Sequence, residues 1–203
     1  MLKEGHLLPG ECISSDHYIS AQEGRRSNTF GREKQGYTCG TLSVDHASGK
    51  LFNYCQTSTA TEDTLVSKHR LEAEAKASGI DVKAYHSDNG TFASKVWKAD
   101  CSSLGQSFTF SGTGAHHQNG VAERNIQTVA QWARANMLHL AIHWPAEATV
   151  SLWPFALAYV LCGCSIDSPT SALVFVPMRF GRALDMHTRT SDAHLCLAVQ
   201  STC

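Results

Sequence analysis

The order of strand-like and helix-like segments constrains this chain more than any other feature. Three strand-like stretches come first, at residues 11–19, 37–44 and 50–57. The second and third are joined by the turn Asp45-His46-Ala47-Ser48-Gly49, which predicts a hairpin. Helices and strands then alternate: helix 59–78 with Gly79 as its stop, strand 80–86, helix 92–104, strand 106–111, and a helix opening near Val121. Three strands followed by such an alternation predict an α/β fold, a mixed sheet flanked by helices.

The helix from Val121 carries the clearest periodicity. At 100° per residue, Glu123, Arg124, Gln127, Gln131 and Arg134 fall within one arc of about 100°. Ile126, Val129, Ala130, Ala133, Met137 and Leu140 fall on the opposing arc. One face is thus suited to packing on a sheet while the other shows a carboxylate and hydrogen-bonding groups. Pro145 ends the run, and residues 152–161 supply a further apolar helix. Two polar loops interrupt the pattern, at 20–36 and 112–120. The first carries Arg25, Arg26, Arg32 and Lys34 against Glu23 and Glu33.

Bulk properties narrow the class. With 203 residues, 42% hydrophobic and 17% charged, the chain fits one globular domain with some length to spare. No apolar run is long enough to span a bilayer, and the first residues lack a signal-peptide layout. The expectation is an intracellular protein, not secreted, acting in nucleus or cytoplasm with no membrane partner. The eight cysteines are irregularly spaced and read as reduced thiols. A net charge of −1 argues against a stand-alone high-affinity DNA binder, because neutralising phosphates takes clustered Lys and Arg.

Three acids stand out. Asp16 sits in the first strand, Asp88 in a turn just past a later strand, and Glu123 at the opening of the amphipathic helix. Carboxylates on separate elements, brought together by folding, are what a two-metal phosphoryl-transfer site requires. Each has an ordinary structural alternative. Asp88 precedes Asn89-Gly90, a common surface turn, and Glu123 suits the positive end of a helix. Asp45 rivals Asp16, although it lies at a strand end facing a turn.

The surrounding phrases carry more information than the single acids. Pro9-Gly10-Glu11-Cys12-Ile13-Ser14-Ser15-Asp16, Val44-Asp45-His46-Ala47-Ser48-Gly49, Ser87-Asp88-Asn89-Gly90, Asn119-Gly120-Val121-Ala122-Glu123-Arg124 and Leu152-Trp153-Pro154-Phe155-Ala156 occur in this order. They resemble the integrase catalytic core of retroviruses and retrotransposons, in particular Copia-type polyproteins, over residues 9 to 160. The resemblance implies a ribonuclease-H-like fold and metal-dependent DNA 3′-end processing and strand transfer. It also implies two Mg²⁺ (or Mn²⁺) ions, with Asp16 bridging both, Asp88 on the first and Glu123 on the second. Implied partners are element and target DNA, further copies of the chain, and other polyprotein domains.

Gln118, Asn119 and Arg124 could contact DNA from the loop and helix start, or simply cap that loop; Gln127 and Gln131 share the face of Glu123. His116-His117 read as polar loop histidines. Cys162, Cys164, His187, His194 and Cys196 could supply zinc donors on paper, but the one-residue gap is poor for a zinc site. Two other readings use the same acids: a nuclease of the same fold, or a catalytically inactive, nucleic-acid-binding remnant of a decayed element. Residues 1–8 are expected to be a linker or N-terminal remnant and 9–161 the core. Residues 162–203 leave the pattern, as a shifted reading frame or mispredicted end would. The resemblance also implies a zinc-binding N-terminal domain; no paired His and Cys precede Pro9, so the chain is expected to be a piece of a longer polyprotein.

Overall fold

The structure is a computed structural model and describes residues 7–26, 35–112 and 119–166. Strands β1 (Ile13–Gly24), β2 (Tyr37–Asp45) and β3 (Leu51–Gln56) come first, followed by helix α1 (Thr61–Ala77). Strand β4 (Ala84–Ser87), helix α2 (Lys95–Ser103), strand β5 (Ser107–Phe110) and helices α3 (Gly120–His143) and α4 (Trp153–Ile166) complete the order. The strands form one five-stranded sheet in the order β3-β2-β1-β4-β5. The first two pairings are antiparallel, while β1–β4 and β4–β5 are parallel. This is the expected mixed sheet flanked by helices.

Side chains alternate across the central strand, and the alternation sorts them into two cores. Ile13 points to the side of α1 and α2, where it packs with Phe52, Leu71, Tyr85, Phe92 and Trp97. Tyr18 and Leu42 point to the side of α3 and α4 and pack with Ile126, Val129, Ala133, Trp153 and Ala156. Leu42 is the direct partner of Asp16 in the β1–β2 register. Asp16 therefore faces α3, because residues directly opposite in an antiparallel pair share a face. The buried stripe of α3 is the one its periodicity predicts: Ile126, Val129, Ala130, Ala133 and Leu140 are buried and Met137 partly so.

Several boundaries differ from the sequence reading, each for a local reason. Residues 20–24, expected as loop, continue β1 to Gly24, which pairs with Tyr37 after an irregularity. Trp153 holds that extension, its indole Nε1 donating to the Gln22 carbonyl at 2.9 Å. Helix 92–104 is divided into a 3-10 turn (Thr91–Ala93) and α2, because Ser94 acts as an N-cap with its Oγ accepting from Trp97 N. Strand 80–86 contracts to four residues. Gly79, the expected stop of α1, adopts φ +75°, a conformation costly for a residue with a Cβ. Helix α4 begins one residue later than expected and runs on to Ile166.

One charged group is buried in the α1–α2 layer. Lys68 is 5% exposed, and its Nζ lies 2.7 Å from both Glu72 Oε1 and Asp100 Oδ2. Tyr85 and Gln106 also donate to Glu72 Oε1, so the network joins α1, α2 and the strands beneath. Cys12, Cys39, Cys55, Cys101 and Cys162 are free thiols. No helix among the described residues is long and apolar enough to cross a membrane.

Gly24 tests the clamp between β1 and α4. A Cβ at this position would collide with Trp153 and Pro154, both anchored at the start of α4. Gly24→Ala should therefore destabilise the fold by about 1–3 kcal/mol, the usual cost of overpacking, read as a lower urea midpoint at unchanged slope.

Candidate active site

The parallel pairing of β1 with β4 sets the first two acids near one another. Ser15 is opposite Ser87. Asp16 and Asp88 each follow the matched residue by one, so the sheet brings their backbones to the same level on neighbouring strands. Both side chains are partly exposed. The Asp88 turn is pinned on two sides: Gly90 N donates to Asp88 Oδ1 at 3.2 Å, and Asn89 Nδ2 donates to the Ser111 carbonyl at 2.6 Å. The first contact is an ordinary aspartate turn, so the structural and chemical readings of Asp88 coexist in one geometry. Asp16 Oδ1 accepts from His17 N at 2.8 Å.

Glu123 lies in the first turn of α3, partly exposed. The start of that helix is tied to the same strand by Asn119, whose Nδ2 donates to the Ser15 carbonyl at 3.3 Å. Asn119 is 2% exposed and its side chain makes no capping bond to α3. Its amide links the Glu123 helix to the residue preceding Asp16. Its Oδ1 is buried without a partner among the described residues. Arg124, Gln127 and Gln131 are exposed on α3. Gln118, His116 and His117 lie outside the described residues, as do His187, His194 and Cys196.

Asp45, the rival of Asp16, is spoken for. It is 3% exposed; its Oδ1 accepts from Gly10 N at 3.0 Å and its Oδ2 from both the amide and the hydroxyl of Ser48. It closes the hairpin turn. The three acids singled out in the sequence, Asp16, Asp88 and Glu123, would offer only carboxylate oxygen, a donor type that suits Mg²⁺ or Mn²⁺. Among the described residues no three Asp, Glu, His or Cys side chains converge tightly enough to cage an ion. The fold thus brings the backbones of Asp16 and Asp88 to the same level and tethers the start of the helix that carries Glu123.

His17 was absent from the sequence reading. It alternates with Asp16 and so faces the other side of the sheet, where its ring stacks on Phe92 at 4.5 Å and its Nε2 lies 3.1 Å from Thr64 Oγ1. Burial lowers its pKa to about 4, outweighing the opposing pull of the Asp88 charge. The available signal was its even spacing from Ile13 and Ser15, which places all three on one face.

No protein-family profile matches the sequence, and no curated protein sequence does. Solved structures do match. A chain of the simian T-cell lymphotropic virus intasome in complex with PP2A regulatory subunit B56 gamma superposes with a TM-score of 0.61 at 16% identity, over 86% of this chain and 54% of that one. This chain therefore spans about half of that viral chain. The HTLV-2 integrase catalytic core domain in complex with magnesium matches in its dimeric form with a TM-score of 0.51 at 17% identity, over 77% of this chain and 87% of that one. Its trimeric form gives 0.52 at 16% identity, over 77% and 86%. The fold is accordingly the ribonuclease-H-like fold of integrase catalytic cores.

Two measurements probe this site. His17 stays neutral in the folded protein down to about pH 4 while the unfolded chain protonates near 6.5, so the unfolded state binds more protons between these values. The stabilisation is complete above pH 6.5 and is lost as pH falls toward 4, by up to about 3 kcal/mol. Thermal melting against pH should show this decline, and His17→Phe should flatten it. Separately, Asn119→Ala should lower unfolding free energy by about 1 kcal/mol. It should also speed amide hydrogen exchange in the first turn of α3; unchanged exchange there would contradict the tether.

Proposed function

We propose that the chain is the integrase catalytic core of a Copia-type retrotransposon, trimming element DNA 3′ ends and joining them to target DNA. The observation that supports this reading is the β1–β4 register, in which Asp16 and Asp88 each follow a matched residue by one, together with the face of β1 that turns Asp16 toward α3. The ordered phrases shared with Copia-type polyproteins support the finer assignment.

In this reading Asp16, Asp88 and Glu123 hold two Mg²⁺ or Mn²⁺ ions. Bound there, the ions supply Lewis acidity to the phosphoryl group and to the attacking and departing oxygens. In processing, a water oxygen attacks phosphorus; in strand transfer, the element 3′-hydroxyl does. Each step forms one P–O bond, breaks the P–O3′ bond opposite, and transfers the nucleophile's proton to the departing oxygen through solvent. Asp16 would keep its position because β1 holds its backbone, and Asp88 because the bonds of Gly90 and Asn89 pin its turn. Asn119 acts behind them as the tether of α3. Arg124, Gln127 and Gln131, together with Gln118, contact DNA phosphates or bases.

The net charge of −1 gives the chain little general attraction for DNA. Further copies of the chain, and other domains of a polyprotein, supply the remaining affinity by engaging two DNA ends together. Action on chromosomal DNA places the working protein in the nucleus.

The test is Mg²⁺- or Mn²⁺-dependent strand transfer on a branched oligonucleotide, with Asp88→Asn and Glu123→Gln beside the parent chain. Both substitutions should reduce product on the order of 100-fold or more at unchanged melting temperature. Retention of activity in either variant would remove that residue from the site. Hydrolysed ends without joined product would favour a nuclease, and a cooperative melt without either product would favour an inactive remnant.

A further inference from the structure

The far end of α3 carries a pair of side chains that the carboxylates do not use. His139 and His143 occupy its last two turns, and both are exposed. Residues four apart on an α-helix are separated by about 6 Å along the axis and sit on one face. Their ring centroids are 4.3 Å apart, with planes inclined by 47°. Both rings border Trp144, at 6.4 Å and 5.6 Å. Neither imidazole forms a hydrogen bond or ion pair with a described residue. Their nitrogens are thus not committed to holding the fold.

We propose that His139 and His143 form a two-point chelating site for a late first-row divalent transition ion such as Ni²⁺, Zn²⁺ or Cu²⁺. Imidazole nitrogen selects these ions over Mg²⁺, which prefers carboxylate and water oxygen. Two histidines at i and i+4 on one helix face can reach a single ion without a loop having to be ordered first. The backbone beneath them is regular to the end: Trp144 N still donates to the Leu140 carbonyl, at 2.7 Å. The negative end of the helix dipole lies at the same place and favours a cation. No third His, Cys, Asp or Glu joins the pair among the described residues, so water fills the remaining positions.

The site stands on its own geometry. It lies sixteen residues beyond Glu123, about 24 Å along α3, and does not depend on the integrase reading. An ion bridging the pair would also staple the last turn of α3, which ends at His143.

Carbethoxylation of the full chain, mapped residue by residue by mass spectrometry, tests this against the other histidines and the thiols. One equivalent of Ni²⁺ should slow modification of both His139 and His143 by about tenfold or more, and Mg²⁺ should protect neither. His139→Gln should abolish the protection of His143, and His143→Gln that of His139. Equal rates with and without Ni²⁺ in the parent chain would overturn the site, as would protection of His143 that survives in His139→Gln. Both positions are exposed on a helix and glutamine is a good helix former, so the variants should fold; the parent-chain rates decide the matter even if one does not.

Discussion

Side-chain alternation along β1 is the constraint on which the rest of the molecule depends. β1 is the central strand, antiparallel to β2 on one side and parallel to β4 on the other. Ile13 and His17 go to the α1–α2 side, while Asp16 and Tyr18 go to the α3–α4 side. A one-residue slip would bury Asp16 against Phe92 and Trp97 and turn His17 toward α3. The hydrophobic cores and the acid are therefore specified together. Two aromatic clamps secure the arrangement: Trp97 is fully buried on one side of the sheet, and Trp153 on the other reaches under the end of β1.

The carboxylates of the region differ in burial and in hydrogen bonding. Asp45 is almost fully buried and saturated by backbone and hydroxyl donors, so it can do nothing but hold its turn. Asp16, Asp88 and Glu123 keep partial exposure. Lys68 is buried with two carboxylates against it, a group that fastens α1 to α2. Its partner Asp100 shows the balance: burial alone would raise that carboxyl, but hydrogen bonds from Lys68 and His69 bring it below its ordinary value. Stability from Asp100 is present above the ordinary aspartate pKa and fades only in stronger acid, below the range in which His17 acts.

Helix α3 joins these themes. One stripe packs on the sheet, one end presents Glu123 under the tether of Asn119, and the other end presents an imidazole pair to solvent. An amphipathic helix can serve two unrelated sites because its buried stripe, not its exposed face, determines how it sits.

Much of this was legible in the sequence, where it depends on periodicity or on local capping. The order of strands and helices, the hairpin, the stop at Gly79, the buried stripe of α3 and the position of Asp88 just past a strand all follow from near neighbours in the chain. Tertiary structure alone decided the rest. Residues 20–24 read as a polar loop because the force extending β1 comes from Trp153, more than a hundred residues away. The link from Asn119 to the Ser15 carbonyl was not legible because its partner is likewise remote in sequence. That Asp45 is saturated within its own hairpin turn likewise shows only in the fold. Local sequence states what each segment prefers; which polar groups remain free is settled only when distant segments compete for the same hydrogen bonds and the same space.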